Sequence, residues 1–277
     1  IEAYSEDELL ANTETILSRE PQIVSQFVVN PELPEPLDIL LVNDDGYQAE
    51  GINILYDQLT AAGYNVTLVA PKEQQSGTGT FINVDKIFQP TEIVNFAPNQ
   101  WYVDGSPRVT TWAGLDYILD EKPDLVISGI NEGENIGPGG AVSSGTVSAA
   151  VTALLRDVPA IAMSAGIDFV DETKTSEAYE IGADYVVDLI AQLQATQGED
   201  TTILPEDIGL NINIPVRFPA GVEEIQGVKF TASDDISPFD ISFGELPNGG
   251  VGLRFSPTEL PSDVEIDPLS EGGQFLS

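Results

Sequence analysis

The sequence predicts an α/β fold: a Rossmann-like, mostly parallel sheet with helices on both faces, plus a β-hairpin-like C-terminal extension. Three observations carry the prediction. Short apolar runs, Ile39 to Val42 and DLVIS at 124–128, have the composition of strands buried on both faces. Segments with helical spacing separate the runs, giving the strand–helix–strand alternation of a parallel sheet. Polar, Gly-containing loops follow the strands, and that edge of an open α/β sheet is where ligands bind.

Residues 1–36 stand apart as an N-terminal arm and Pro-rich linker. Ser5 to Ile16 is expected to be a helix, because Ser5 and Glu8 make a capping box. Pro31-Glu32-Leu33-Pro34-Glu35-Pro36 cannot continue it and reads as extended. The sheet domain is expected over 37–215. After the first strand, Ile54, Leu55, Leu59 and Ala62 give Ile52 to Ala62 a helix face, and Gly63 stands where a C-cap belongs. Asn65 to Ala70 is a β-branched strand, and Pro71 to Thr80 a polar loop. Phe81 to Val103 reads as a β excursion broken by Pro90 and Pro98, and Val109 to Leu119 as a helix entered near Pro107. The strand at 124–128 is expected to stop at a loop over Gly129 to Gly140, before an Ala-rich helix over Ser144 to Leu155. Ala160 to Ser164, a helix over Ser176 to Leu193, and Ile208 to Ile214 complete the domain. The last helix shows Ile181, Tyr185, Val186, Leu189 and Ile190 as its apolar positions. Residues 216–277 form the C-terminal extension. Val228 to Thr231 and Val251 to Phe255 are its expected strands, with Asn248-Gly249-Gly250 as turn material.

Charge is the largest compositional anomaly. The 46 acidic and 10 basic residues among 277 give a formal charge of −36, spread along the whole chain. Such a surface repels nucleic-acid polymers and anionic membranes. No apolar run approaches a membrane span, so neither class is an expected partner. Molar salt would screen the charge to a Debye length of about 3 Å. The expected setting is therefore a halophile's cytoplasm, or the periplasm or exterior of a marine microbe; equal stability from very low to molar salt would contradict it. The sequence opens on Ile1 and shows no basic-then-apolar leader, so a signal peptide, if the protein has one, is expected to lie outside it. The absence of Cys excludes disulfides, thiolate metal sites and cysteine nucleophiles. The absence of His removes the Ser-His-Asp triad, the imidazole base and the usual zinc sites.

What remains is carboxylate, hydroxyl and amide chemistry, and three loops bring it to one sheet edge. Asn43 to Gly46 (NDDG) ends the first strand, where Asp44 and Asp45 can converge and repel unless a cation or proton separates them. The loop over Pro71 to Thr80 adds Ser76, and the loop from Gly129 adds Asn131 and Asn135. Two carboxylates, a hydroxyl and an amide oxygen suit Mg²⁺ or Mn²⁺, with Ca²⁺ a third candidate. Taken without its neighbours, NDDG reads equally well as an acidic turn. Ser144-Gly145-Thr146 opens a helix, where free N–H groups can bind an anion, although Ser144 taken alone is simply an N-cap. No GxGxxG follows the first strand and no GxxxxGK[ST] occurs, which argues against a dinucleotide site or a P-loop.

NDDG at 43–46, EQQSG at 73–77, SGINEGENIG at 128–137, SSGTVSAA at 143–150 and LNINIP at 210–215 together resemble the SurE (survival protein E) family. The resemblance runs from Asp38 to Pro215. It implies a metal-dependent 5′/3′-nucleotidase or acid phosphatase with a Rossmann-like fold, acting on a small phosphate monoester. Carried over by position, it implies metal ligands Asp44, Asp45, Ser76 and Asn131, the catalytic set being Asp44, Asp45 and Asn131. It also implies substrate or phosphate contacts at Asn43, Asn135, Ser144, Gly145 and Thr146. Ser143 stands where the family usually carries an aromatic. A homodimer or homotetramer is expected, with the C-terminal extension a candidate for subunit contacts.

The expected reaction is attack of water on phosphorus, with the cation offsetting charge and acidifying the water, and Asp44 accepting its proton. Two other readings compete. A noncatalytic metal- or nucleotide-binding module on the same scaffold would bind metal without turnover. An acidic structural protein would bind divalent cations no better than any polyanion.

Overall fold

The chain divides at Glu35/Pro36 into two compact units, and almost all the described residues belong to the second, Pro36–Ser277. The computed structural model describes residues 35–168, 170–198, 202–205, 207–216, 225, 227–230, 239–247 and 249–257. The helix expected over Ser5 to Ile16 lies outside them.

The apolar run after Leu37 forms β1 (Asp38–Val42). Helix α1 (Glu50–Ala61) returns the chain to β2 (Asn65–Pro71), which pairs parallel with β1, Ile39 facing Val66. The excursion then folds as a 3₁₀ turn at Val84–Lys86 and an antiparallel pair, β3 (Ile93–Ala97) and β4 (Gln100–Val103). Phe81 and Ile82, expected to be β, are not in a strand. Ser106 caps α2 (Pro107–Ala113), whose last turn widens into a π-turn over Gly114–Ile118.

β5 (Leu125–Glu132) lies parallel to β1 on its other side, with Val42 facing Ser128. It runs four residues past the expected end at Ser128, because a bulge between Ser128 and Asn131 carries the strand through Gly129. A Cβ on Gly129 would stand 2.4 Å from the Met163 carbonyl oxygen, and its φ is +144°. Only glycine permits that approach. Two short helices, α3 (Gly137–Ser143) and α4 (Gly145–Leu154), follow. β6 (Ala160–Ala165), α5 (Thr173–Thr196) and β7 (Gly209–Ile214) close the sheet, ordered β3-β4-β2-β1-β5-β6-β7.

Helices cover both faces. Ile39, Leu41 and Ile127 on one face pack with Leu55 and Leu59 of α1 and Val186 and Ile190 of α5. On the other, Leu40, Val42 and Val126 pack with Ala149, Ala150 and Ala153 of α4. On α5 the buried stripe includes the small residues Ala178, Gly182 and Ala183 beside Thr175 and Tyr179, while Ile181 is exposed. A Cβ on Gly182 would come within 3.0 Å of Ile214, so smallness lets this helix lie close to the sheet.

The C-terminal hairpin is β8 (Phe239–Glu245) paired with β9 (Val251–Pro257). The expected partner strand at 228–231 is displaced by β8; Val228 makes only a single bridge. β8 pairs with β9 in register from Phe239 opposite Pro257 to Glu245 opposite Val251.

The order of strands defines the functional edge. From β1 the chain moves one way, through β2 to β4 and β3, and later the other way, through β5 to β7. The reversal opens a crevice at the C-terminal ends of β1 and β5. Each buried side chain of β1 contributes about 1.5–3 kcal/mol relative to exposure, which anchors the residues that follow it.

Candidate active site

Asn43, Asp44 and Asp45 leave β1 at this reversal. Asn43 is wholly buried, and its Nδ2 donates to the Gly46 carbonyl (2.8 Å), closing a tight turn in which Gly46 takes φ +97°. The Gln75 N–H donates to the Asp44 carbonyl (2.7 Å) and the Tyr47 N–H to that of Pro71 (3.0 Å), joining the turn to the loop after β2. The first two expected loops therefore meet.

Asp44 is 2% exposed. Thr146 Oγ1 donates to its Oδ1 (2.6 Å), and the backbone N–H groups of Gly145 and Thr146 also donate to it. Burial raises its pKa, and these donors at the start of α4 oppose the rise. Gly145 has to be glycine: a Cβ there would lie 2.6 Å from Asp44 Cβ and 2.7 Å from Oδ2. The helix start expected to serve an external anion thus holds an internal carboxylate. Ser144 Oγ accepts from the Val147 N–H (3.0 Å) as the N-cap.

Asp45 has weaker support. Its Oδ2 accepts from the Glu132 N–H (2.9 Å) and its Oδ1 from Ser76 Oγ at 3.4 Å. Burial first, and the Asp44 charge second, push its pKa up to about 7. Asn131, the residue before that donor, gives its Nδ2 hydrogen to the Gly133 carbonyl (2.5 Å). Its Oδ1 is buried without a donor among the described residues, as is Asn43 Oδ1.

Sequence reasoning missed a supporting layer. Asn135 Nδ2 donates to Ser164 Oγ (2.8 Å) and to Thr146 Oγ1 (3.4 Å). The Asn135 N–H donates to Asn213 Oδ1 (2.8 Å), and Asn211 Nδ2 to the Asn135 carbonyl (2.9 Å). Asn135 therefore fixes Thr146 and, through it, Asp44. The signal was present in LNINI: Asn211 and Asn213 alternate with apolar residues, so they share one face of β7. The chain's own fold brings together Asp44, Asp45, Ser76, Asn135, Gly145 and Thr146 by direct contact, with Asn43, Asn131 and Ser144 as their immediate neighbours. Ser143 is exposed, its Oγ donating to the Gly140 carbonyl (3.3 Å).

Chemically this is a cluster rich in acceptors. The buried Asp44 and the half-buried Asp45 are joined by two buried amide oxygens, of Asn43 and Asn131, that have no donor among the described residues. Such a set fits a hard divalent cation, which needs oxygen ligands and compensates the charge. Among the described residues no three acidic side chains cluster to hold a metal. A cation here would accordingly use Asp44, Asp45, Ser76 and Asn131.

Comparison with known proteins identifies the family. The family model for Survival protein SurE matches residues 39–236. A 5′-nucleotidase SurE from Crocosphaera subtropica is 33% identical over 72% of this chain and 67% of its own. One from Picosynechococcus is 37% identical over 71% of this chain and 69% of its own. One from Clostridium botulinum is 38% identical over 70% of this chain and 71% of its own. The crystal structure of the SurE protein from Aquifex aeolicus superposes with a TM-score of 0.66 at 30% identity, covering 86% of this chain and 90% of that one. The chain belongs to the SurE family.

Proposed function

We propose that this protein is a divalent-metal-dependent phosphomonoesterase acting on nucleoside 5′- or 3′-monophosphates. The observation that carries the reading is the acceptor-rich cluster: Asp44, Asp45 and the amide oxygens of Asn131 and Asn43, without donors among the described residues, at the reversal of strand order. The relatives named 5′-nucleotidase support the substrate class.

Asp44, Asp45, Ser76 and Asn131 hold Mg²⁺ or Mn²⁺ on this reading. When bound, the cation supplies positive charge against the phosphate oxygens and makes water more acidic. Asp44 accepts the proton of the attacking water, a role that no imidazole in this chain can take. Thr146 and the α4 N–H groups keep that carboxylate in one orientation, and Asn135 keeps Thr146. Ser144 uses a lone pair as the cap, which leaves its O–H to donate to a phosphoryl oxygen beside Asn43 and Gly145. A homodimer or homotetramer is the proposed assembly. Among the described residues no helix is long and apolar enough to cross a membrane.

Phosphate release from a panel of nucleoside monophosphates, with Mg²⁺, Mn²⁺ or EDTA and at low and high salt, tests the reading. Metal-dependent release abolished by EDTA is expected. Metal binding without release under any condition would reduce the protein to a binding module.

A further inference from the structure

Beside the carboxylates the structure carries an aromatic cluster that hydrolysis does not require. Tyr47 follows the NDDG turn directly. Its ring centroid lies 4.9 Å from that of Phe96 and 5.0 Å from that of Tyr102, and Phe96 and Tyr102 stack at 6.3 Å and 21°. Lys72 Nζ stands 5.7 Å from the Tyr102 centroid and pairs with Glu92 at 2.7 Å. Phe96 is 39% exposed, and Tyr47 and Tyr102 are partly exposed.

Position gives the cluster meaning. At most about 11 Å of backbone separates Asp44 from Tyr47. That backbone is fixed: the Tyr47 N–H is bonded to Pro71, its carbonyl accepts from Asn53 Nδ2 (3.2 Å), and Asn43 closes the turn between. On β4, Trp101 packs against the core cluster on the α2 side of the sheet, so the next residue, Tyr102, faces the opposite side, where Tyr47 packs. The rings therefore pack together on one side of the sheet, anchored through Tyr47 to the rigid turn that carries the two carboxylates. A cover for the sheet alone could be aliphatic. Three rings with accessible surface suit a flat aromatic ligand.

The electrostatics point the same way. A chain of charge −36 gains little from charged contacts to an anionic substrate, and salt screens those that exist. Stacking is neutral, tolerant of sequence and not weakened by salt. We propose that Tyr47, Phe96 and Tyr102 form the platform on which the substrate's nucleobase stacks while its phosphate lies at Asp44 and Asp45. The proposal rests on the nucleotidase reading. It predicts that this site selects phosphoesters bearing a base over bare sugar phosphates.

The test compares wild type with Tyr47→Leu and Tyr47→Phe, measuring kcat/KM for adenosine 5′-monophosphate and for ribose 5-phosphate. In Tyr47→Leu the ratio of the two values should fall on the order of tenfold, through KM, and Tyr47→Phe should restore it. An unchanged ratio in Tyr47→Leu overturns the proposal, even where both activities drop together. If wild type hydrolyses neither compound, the nucleotidase reading fails on its own, and saturation-transfer NMR with adenosine decides the platform. Adenosine signal present in wild type and lost in Tyr47→Leu supports it; signal retained in the variant, or absent from both, overturns it.

Discussion

Asp45→Asn should stabilise the metal-free protein at pH 8 while abolishing its response to divalent cations. The reasoning starts from the pKa, pushed from the ordinary 3.8 up to about 7 by burial and by the Asp44 charge. At 1.36 kcal/mol per pKa unit, that rise is a penalty on the order of 4 kcal/mol for the ionised, folded form. The sign follows from proton linkage. A carboxyl whose folded-state pKa is raised binds more protons folded than unfolded between the two values. Its stability is therefore fully present below pH 4 and is lost as pH rises through about 7. At pH 8 the whole penalty applies, whereas by pH 5 roughly 3 kcal/mol of it has been recovered. Asn removes the charge and keeps an acceptor for the Glu132 N–H.

The assay is thermal unfolding in EDTA at pH 5 and pH 8, for wild type and variant. For a domain of this size, 4 kcal/mol corresponds to about 10 °C in Tm. The gain should appear at pH 8 and shrink by most of its size at pH 5. The general self-repulsion of the polyanion also relaxes toward acid, but it is common to both proteins and cancels in the difference. Adding Mg²⁺ should raise the Tm of wild type at pH 8 and leave the variant unmoved. An equal gain at both pH values, or none at pH 8, would refute the reasoning.

Three further outcomes follow from the same geometry. Asp44→Asn should lower kcat/KM at least about a hundredfold with the circular-dichroism spectrum unchanged, and near-normal turnover would sink the proposed mechanism. Gly145→Ala places a methyl group 2.6 Å from Asp44 Cβ, so it should cost about 1–3 kcal/mol in denaturant unfolding and most of the activity. Wild-type Tm and turnover in that variant would show that α4 can shift. Initial rates should rise from about 10 to 150 mM salt as the Debye length falls from about 30 to 8 Å, and a flat profile would remove surface repulsion as a factor.

What was legible in the sequence was local. Four apolar residues ending in Asn43 and Gly46 announce β1 and its exit, because burial and turn chemistry are both encoded within nine residues. The fold class followed, since each strand and helix of the parallel sheet has its own period. What was not legible depended on partners distant in sequence. Gly129 reads as the start of a loop, yet it is the residue that lets β5 continue past Met163 of the neighbouring strand. Ala178, Gly182 and Ala183 have little hydrophobic weight, so Ile181, which is exposed, was read into the stripe of α5 in their place, while Val186 and Ile190 are buried as expected. Val228 to Thr231 has β-prone composition, but β9 pairs with Phe239–Glu245 instead. In the site, residue types were readable and their partners were not. Gly145 and Thr146 had the signature of an anion-binding helix start, and nothing local says that the anion is Asp44.

That internal pairing divides the two carboxylates by function. Asp44 receives a hydroxyl at 2.6 Å and the donors at the start of α4, so much of its charge is compensated by the fold itself. Asp45 receives one N–H at 2.9 Å and a long hydroxyl contact at 3.4 Å, and it faces the Asp44 charge as well. The unmet demand for positive charge is therefore greatest at Asp45, with the orphaned Asn131 oxygen beside the donor that holds it. On the proposed reading the cation must load before the phosphoester, because an anion approaching the Asp44 and Asp45 carboxylates on a chain of charge −36 is repelled until that demand is met. Helix α4 directs its first backbone N–H groups at a carboxylate, which leaves, on the proposed reading, the Ser144 hydroxyl and the cation for the phosphate and neutral aromatic surface for the base.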